Sequence, residues 1–135
     1  PNLVDFRATL EQVFDHLEAG GQFLFDVITP YQVNVLYDTY YYNNDDDEDN
    51  IFMWTSYPGE TTNSVDHDLK FFVYDEKIDG FKILREIHHE QTYSLANYQH
   101  ELERAGFKNI SVSADFGKQT VNDTTQRWFF KAVKS

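Results

Sequence analysis

A chain of 135 residues that is 41% hydrophobic and 17% aromatic holds enough apolar mass for one domain with a buried core. Its net charge of -12 excludes a firm grip on a phosphate backbone, which depends on Lys and Arg, so no nucleic-acid partner is expected and cationic or neutral small molecules remain as ligands. Zero cysteines exclude disulfides and cysteine-held zinc and suit the cytoplasm; no apolar run is long enough to span a bilayer, so no membrane partner is expected.

In chain order, Pro1 in place of Met suits a processed or cut-down chain, and no basic-then-apolar segment indicates secretion. Phe6, Leu10, Val13, Phe14 and Leu17 make the apolar stripe of a helix over residues 3–17, with Asp5 near its positive end. Gly20 and Gly21 stop it. Gln22–Ile28 is then apolar at nearly every position, which predicts a strand buried on both faces of a parallel sheet. Asp26 and Thr29 fall at its carboxyl end, the rim where open α/β sheets bind ligands.

Residues 30–50 carry Tyr31, Tyr37, Tyr40, Tyr41 and Tyr42, which suit a pocket lining or an aromatic surface, and then the run from Asn43 to Asp49. That run lacks the central Gly and spaced Glu of an EF-hand loop and is expected to be a solvated, flexible loop without metal. Three strands should follow, at 51–57, 64–75 and 81–91, forming an antiparallel meander separate from the first strand. Leu95, Tyr98, Leu102 and Ala105 recur at helical spacing, with Gln99, Glu101, Glu103 and Arg104 on the wet side. Gly106 suits the left-handed exit of that helix. Ile110, Val112 and Ala114 alternate with polar residues as a half-buried strand over 110–115, and residues 127–133 form a final aromatic strand.

The phrases HLEAGGQFLFDV, W-x-S-x-P-G-E, V-D-H-D-L-x-F-F-V, E-I-H-H-E-Q-x-Y and L-x-x-AGF come in this order along the chain. Together they resemble the C-terminal part of class I S-adenosylmethionine-dependent methyltransferases that act on small molecules. Ala19 stands where that family usually has proline. The resemblance implies an α/β fold, α+β as an isolated chain: residues 1–29 and 93–135 contribute to a Rossmann-like sheet, and residues 30–92 form an antiparallel substrate-side insertion. It also implies S-adenosylmethionine as cofactor of the whole enzyme. The glycine-rich turn and ribose-binding acid of the family's front half have no counterpart among the six glycines here, so the chain by itself should be inactive and bind the cofactor poorly. Asp26 is then the one cofactor-side residue, at the rim.

Glu86, His88 and Glu90 share one strand face, and Arg85, His89 and Gln91 the other. Glu86 and His88 are the candidates for a general base, against the more common role of hydrogen-bonded structural residues. With His67 across the sheet they make only a weak metal set, and no metal is assigned. Tyr31, Trp54, His88, Gln91, Tyr93 and Arg127 are the candidate substrate contacts, with Arg127 offering either an anion contact or a plain ion pair. The alternative function is a free-standing α+β binding module with an aromatic cavity. The last strand should lie between Gln22–Ile28 and 110–115, antiparallel to both, because helices precede the outer two and a bare loop precedes the last. Gln22–Ile28 should then have an unpaired apolar edge and drive self-association, at least to a dimer.

Overall fold

A computed structural model describes residues 2–135, with Asp45 and Asp46 described by their backbone alone. The elements run α1 (Leu3–His16), β1 (Gln22–Ile28), one turn of π-helix (Gln32–Leu36), β2 (Tyr41–Asp47), β3 (Asn50–Pro58), β4 (Ser64–Asp75), β5 (Gly80–Gln91), α2 (Leu95–Arg104), β6 (Phe107–Ser113), a 3-10 turn (Asp115–Gly117) and β7 (Arg127–Lys134). They divide into two units: one of residues up to Gln32 together with Gln91–Ser135, the other Val33–Glu90. No helix among the described residues is long and apolar enough to cross a membrane.

The first unit is a three-stranded sheet in the order β1-β7-β6, with β7 antiparallel to both neighbours as the sequence predicts. Asn2 and Ser94 cap α1 and α2 by accepting the backbone N–H of Asp5 and Asn97. Leu10, Tyr98, Leu102, Phe107, Phe130 and Ala132 form the buried core, with Phe25 stacked on Phe130 at 4.9 Å. β6 begins three residues earlier than the alternation at 110–115 suggests, because Phe107 leads the strand into the core. A register shift at Asn109, which has a φ of 49°, resets the alternation behind it.

Two expectations fail in this unit. β1 is not buried on both faces: Phe23, Phe25 and Val27 pack against the core, whereas Leu24 on the opposite face is 66% exposed. Only one layer of helices is present among the described residues to cover a sheet that is apolar on both sides. Glu101 is not on the wet side of α2; it is 4% exposed, because Arg7 of α1 reaches it with two hydrogen bonds of 2.7 and 2.8 Å. A bidentate guanidinium satisfies a carboxylate well enough to bury it, and helical periodicity alone does not register that partner.

The second unit is a four-stranded antiparallel sheet in the order β2-β3-β4-β5. The acidic run is a loop only at Glu48 and Asp49; from Asn43 to Asp47 it is strand. Tyr41, Tyr42, Asn43 and Asn44 pair with Thr55, Trp54, Met53 and Phe52, so β2 is an edge strand that continues into the run. Backbone pairing is indifferent to side-chain charge, and edge strands commonly carry charged residues. Asp47 closes the tight turn by accepting from the Asp49 backbone N–H at 3.0 Å and the Asn50 side chain at 2.8 Å.

Candidate functional site

Antiparallel pairing of β3 with β4 sets Phe52 opposite Phe71, Trp54 opposite Leu69 and Ser56 opposite His67, and residues two apart share a face. On that face Tyr37, Phe52, Trp54, His67, Leu69, His88 and Glu90 line a cavity of about 310 Å³. Tyr37 follows the π-helical turn, and His88 and Glu90 come from β5. The rings of Tyr37 and Trp54 meet His67 nearly edge-on, at 4.8 and 5.3 Å between centroids, and Tyr40 supports Trp54 from behind at 5.0 Å. The walls are thus aromatic and aliphatic and the polar groups few and convergent, the usual make-up of a small-molecule site.

His67 is buried at the floor of the cavity and held from three sides. Nδ1 lies 2.9 Å from Trp54 Nε1 and 2.8 Å from Ser56 Oγ, and Nε2 lies 3.1 Å from Glu90 Oε2. An indole N–H only donates, so Nδ1 carries the lone pair; an ionised carboxylate only accepts, so Nε2 carries the hydrogen. Ser56 therefore donates its hydroxyl to the same nitrogen. The order Ser56, His67, Glu90 has the connectivity of a nucleophile, base and orienter, which sequence inspection passes over because strand pairing alone unites the three. Ser56 is 0% exposed, so no substrate carbon reaches its hydroxyl, and the chain of bonds fixes the pocket floor instead. No buried side-chain polar atom among the described residues lacks a partner.

The sequence candidates separate into three places. Trp54 and His88 both line this cavity. His88 Nε2 is 2.8 Å from Glu86 Oε2, both side chains being exposed, which leaves Nδ1 as the basic nitrogen of the pair. Gln91 and Tyr93 belong to the first unit, as does Tyr31. Tyr93 packs against the core beside Tyr98, at 5.9 Å between ring centroids, and burial pushes its phenol pKa up. Arg127, at the start of β7, is ion-paired with Asp26 of β1, so the two rim candidates occupy each other. On the other face of the second sheet, Asp66 and Asp68 of β4 pair with His89 and Arg85 of β5. Among the described residues no group of three or more His, Asp or Glu is placed to hold a metal ion.

The first unit carries a larger recess of about 530 Å³ on the uncovered face of its sheet, lined among others by Leu24, Asp26, Phe116, Phe129 and Lys131. Phe116 is 79% exposed at a left-handed φ of 55° and lies on Phe129 at 4.5 Å. The glycines do not supply a nucleotide-binding turn. Gly20 and Gly21 join α1 to β1 and bond to Lys134, Gly59 and Gly80 lie at turns between antiparallel strands, Gly106 follows α2, and Gly117 is the last residue of the 3-10 turn. None lies between a strand and the N-terminus of a helix, so the residues present do not fit S-adenosylmethionine.

No protein-family model matches the chain. It is 34% identical over 133 residues to "Putative methyltransferase YqeM" of Bacillus subtilis (strain 168), covering 97% of this chain and 52% of that protein. "Putative methyltransferase GWCH70_2453" of Geobacillus sp. (strain WCH70) is 31% identical over 131 residues, covering 96% of this chain and again 52% of the relative. Among solved structures, an S-adenosylmethionine-dependent methyltransferase from Clostridium acetobutylicum superposes with a TM-score of 0.81 at 22% identity, over 98% of this chain and 52% of that one. The chain spans about half the length of the curated relatives it matches. Its fold is that of a C-terminal methyltransferase-like segment, as the order of motifs implies.

Proposed function

We propose that this chain is the substrate-side half of an S-adenosylmethionine-dependent methyltransferase that acts on a small molecule, inactive without a nucleotide-binding half. The observation that carries this is the combination of near-complete coverage of the chain by half of each relative with a sheet left open in one direction. Among the described residues β1 pairs only with β7, its other edge is bare, and the apolar face bearing Leu24, Phe116 and Phe129 has no layer over it. A parallel strand and its helix would complete both.

In this reading the acceptor enters the cavity of Tyr37, Trp54 and His67, where flat rings and an acidic rim favour an apolar or cationic body. The acceptor's heteroatom must lose a proton when it is alkylated, and His88 Nδ1, oriented by Glu86, is the base at the pocket wall. S-adenosylmethionine supplies the activated methyl group, and this chain contributes positioning. Arg127 has no role in this reading beyond its ion pair with Asp26. The partners expected are a small molecule and no nucleic acid or membrane, in the cytoplasm, on the strength of the acidic charge and the absence of cysteine.

The test is transfer of a labelled methyl group to a small-molecule pool by the natural protein that carries this sequence. Trp54→Ala should lower kcat/KM for the acceptor by tenfold or more without moving the KM for S-adenosylmethionine. His88→Ala should lower kcat. Transfer indifferent to both changes would deny the cavity any part in catalysis.

In a solution of this chain by itself, the bare edge of β1 takes a second copy in place of the missing strand. Leu24→Lys probes this better than a change at Phe25, because Phe25 stacks on Phe130 in the core and its loss would unfold the unit. A sedimentation coefficient that does not change with Leu24→Lys would remove β1 as an interface.

A further inference from the structure

β5 is the far edge of the second sheet, hydrogen-bonded among the described residues to β4 alone, and runs twelve residues from Gly80 to Gln91 without a proline. Side chains from Phe81 to Glu90 are exposed on both faces. Four of them are large and apolar: Phe81 at 45%, Ile83 at 61%, Leu84 at 58% and Ile87 at 58% exposure. Edge strands of this length normally carry a bulge, a proline or a run of one charge that turns other chains away. Here the charges along the strand are mixed in sign, Lys82 and Arg85 against Glu86 and Glu90.

We propose that β5 pairs antiparallel with β5 of a second copy about a two-fold axis at Leu84, joining two four-stranded sheets into one of eight strands. Two-fold pairing of a strand with itself places residues whose numbers have a constant sum opposite one another, on a shared face. With Leu84 on the axis, Leu84 meets Leu84, and Lys82 of each copy meets Glu86 of the other. On the opposite face Phe81 meets Ile87 and Ile83 lies beside the stem of Arg85. Centring the pairing one residue later, on Arg85, would set like charges against each other. The chosen register instead gives an apolar centre closed at both ends by opposite charges, and it covers all four exposed apolar side chains. Lys82 already pairs with Asp75 and Glu86 with His88, so each brings a partner that stays with it. The same register lays Gly80 of the second copy opposite His88, so that the dimer borders the aromatic cavity. The proposal does not depend on the methyltransferase assignment.

Sedimentation of the chain carrying Leu24→Lys, which silences the β1 edge, tests it. A dimer is expected at micromolar concentration. Glu86→Lys should weaken it at least tenfold, by setting one ammonium group against another at both ends of the paired strands. Lys82→Glu combined with Glu86→Lys should restore it, with circular dichroism confirming that each variant is folded. A monomer in the Leu24→Lys background, a dimer indifferent to Glu86→Lys, or a charge swap that fails to rescue would each overturn the proposal.

Discussion

The indole N–H of Trp54 donates to Nδ1 of His67 at 2.9 Å, and this one bond fixes which imidazole nitrogen carries the hydrogen. Nε2–H is then left for Glu90, and the ring is locked from both ends across three strands. Nitrogen-15 spectra of the imidazole should show the Nε2–H form alone. Trp54→Phe removes the donor and leaves only the Ser56 hydroxyl at Nδ1. The variant should lose about 1–2 kcal/mol of stability and show a second tautomer. An unchanged single-tautomer spectrum would mean that Ser56 and Glu90 suffice.

The buried Glu101 should give the fold a specific acid sensitivity. Hydrogen bonding from Arg7 holds its carboxyl below the usual range against the opposing effect of burial. A carboxylate with a depressed folded pKa adds stability above its unfolded pKa, and this is lost as pH falls through the folded value. Glu101→Gln should therefore melt well below the native chain at pH 7. The gap between the two should close steadily on acidification through the carboxylate range. A gap independent of pH would assign the loss to packing and not to the ion pair.

Gly106 ends α2 at a φ of 103°, and a Cβ there would stand 2.8 Å from the ring of Phe14. That ring is held by edge-on packing against Phe107 at 5.1 Å and by the Lys134 ammonium over it at 4.5 Å. Gly106→Ala meets both the left-handed penalty and the clash, and should cost about 2 kcal/mol, read from chemical denaturation. Gly20→Ala has the positive φ without a neighbour within 4 Å and should cost roughly half as much.

The chain by itself should show no micromolar affinity for S-adenosylmethionine in isothermal titration. Among the described residues no glycine lies between a strand and a helix N-terminus, so the glycine turn that cradles such a ligand is lacking. Tight binding would place a cofactor site within these residues and reverse the proposed division of labour.

Much of the fold is written in local pattern. The apolar stripe of α1, the alternation of β4, the Gly106 exit and the near-continuous apolar run of β7 each follow from side-chain period and backbone sterics, which short segments carry by themselves. Even the central place of β7 follows from a connection rule. The family resemblance is likewise sequential, since its motifs are contiguous phrases. The tertiary structure decided whatever depends on a partner far away in the chain. Glu101 has the look of a solvent residue until Arg7, 94 positions earlier, reaches it. The run from Asn43 to Asp49 looks like a loop until β3 offers its backbone to most of it. Ser56, His67 and Glu90 are three scattered polar residues until strand register aligns them, and the face of β1 bearing Leu24 is known to be bare only once the helices are seen to lie on the other side. Hydrogen bonds and burial reward proximity in space, and a linear pattern records that proximity only where neighbours in space are also neighbours in sequence.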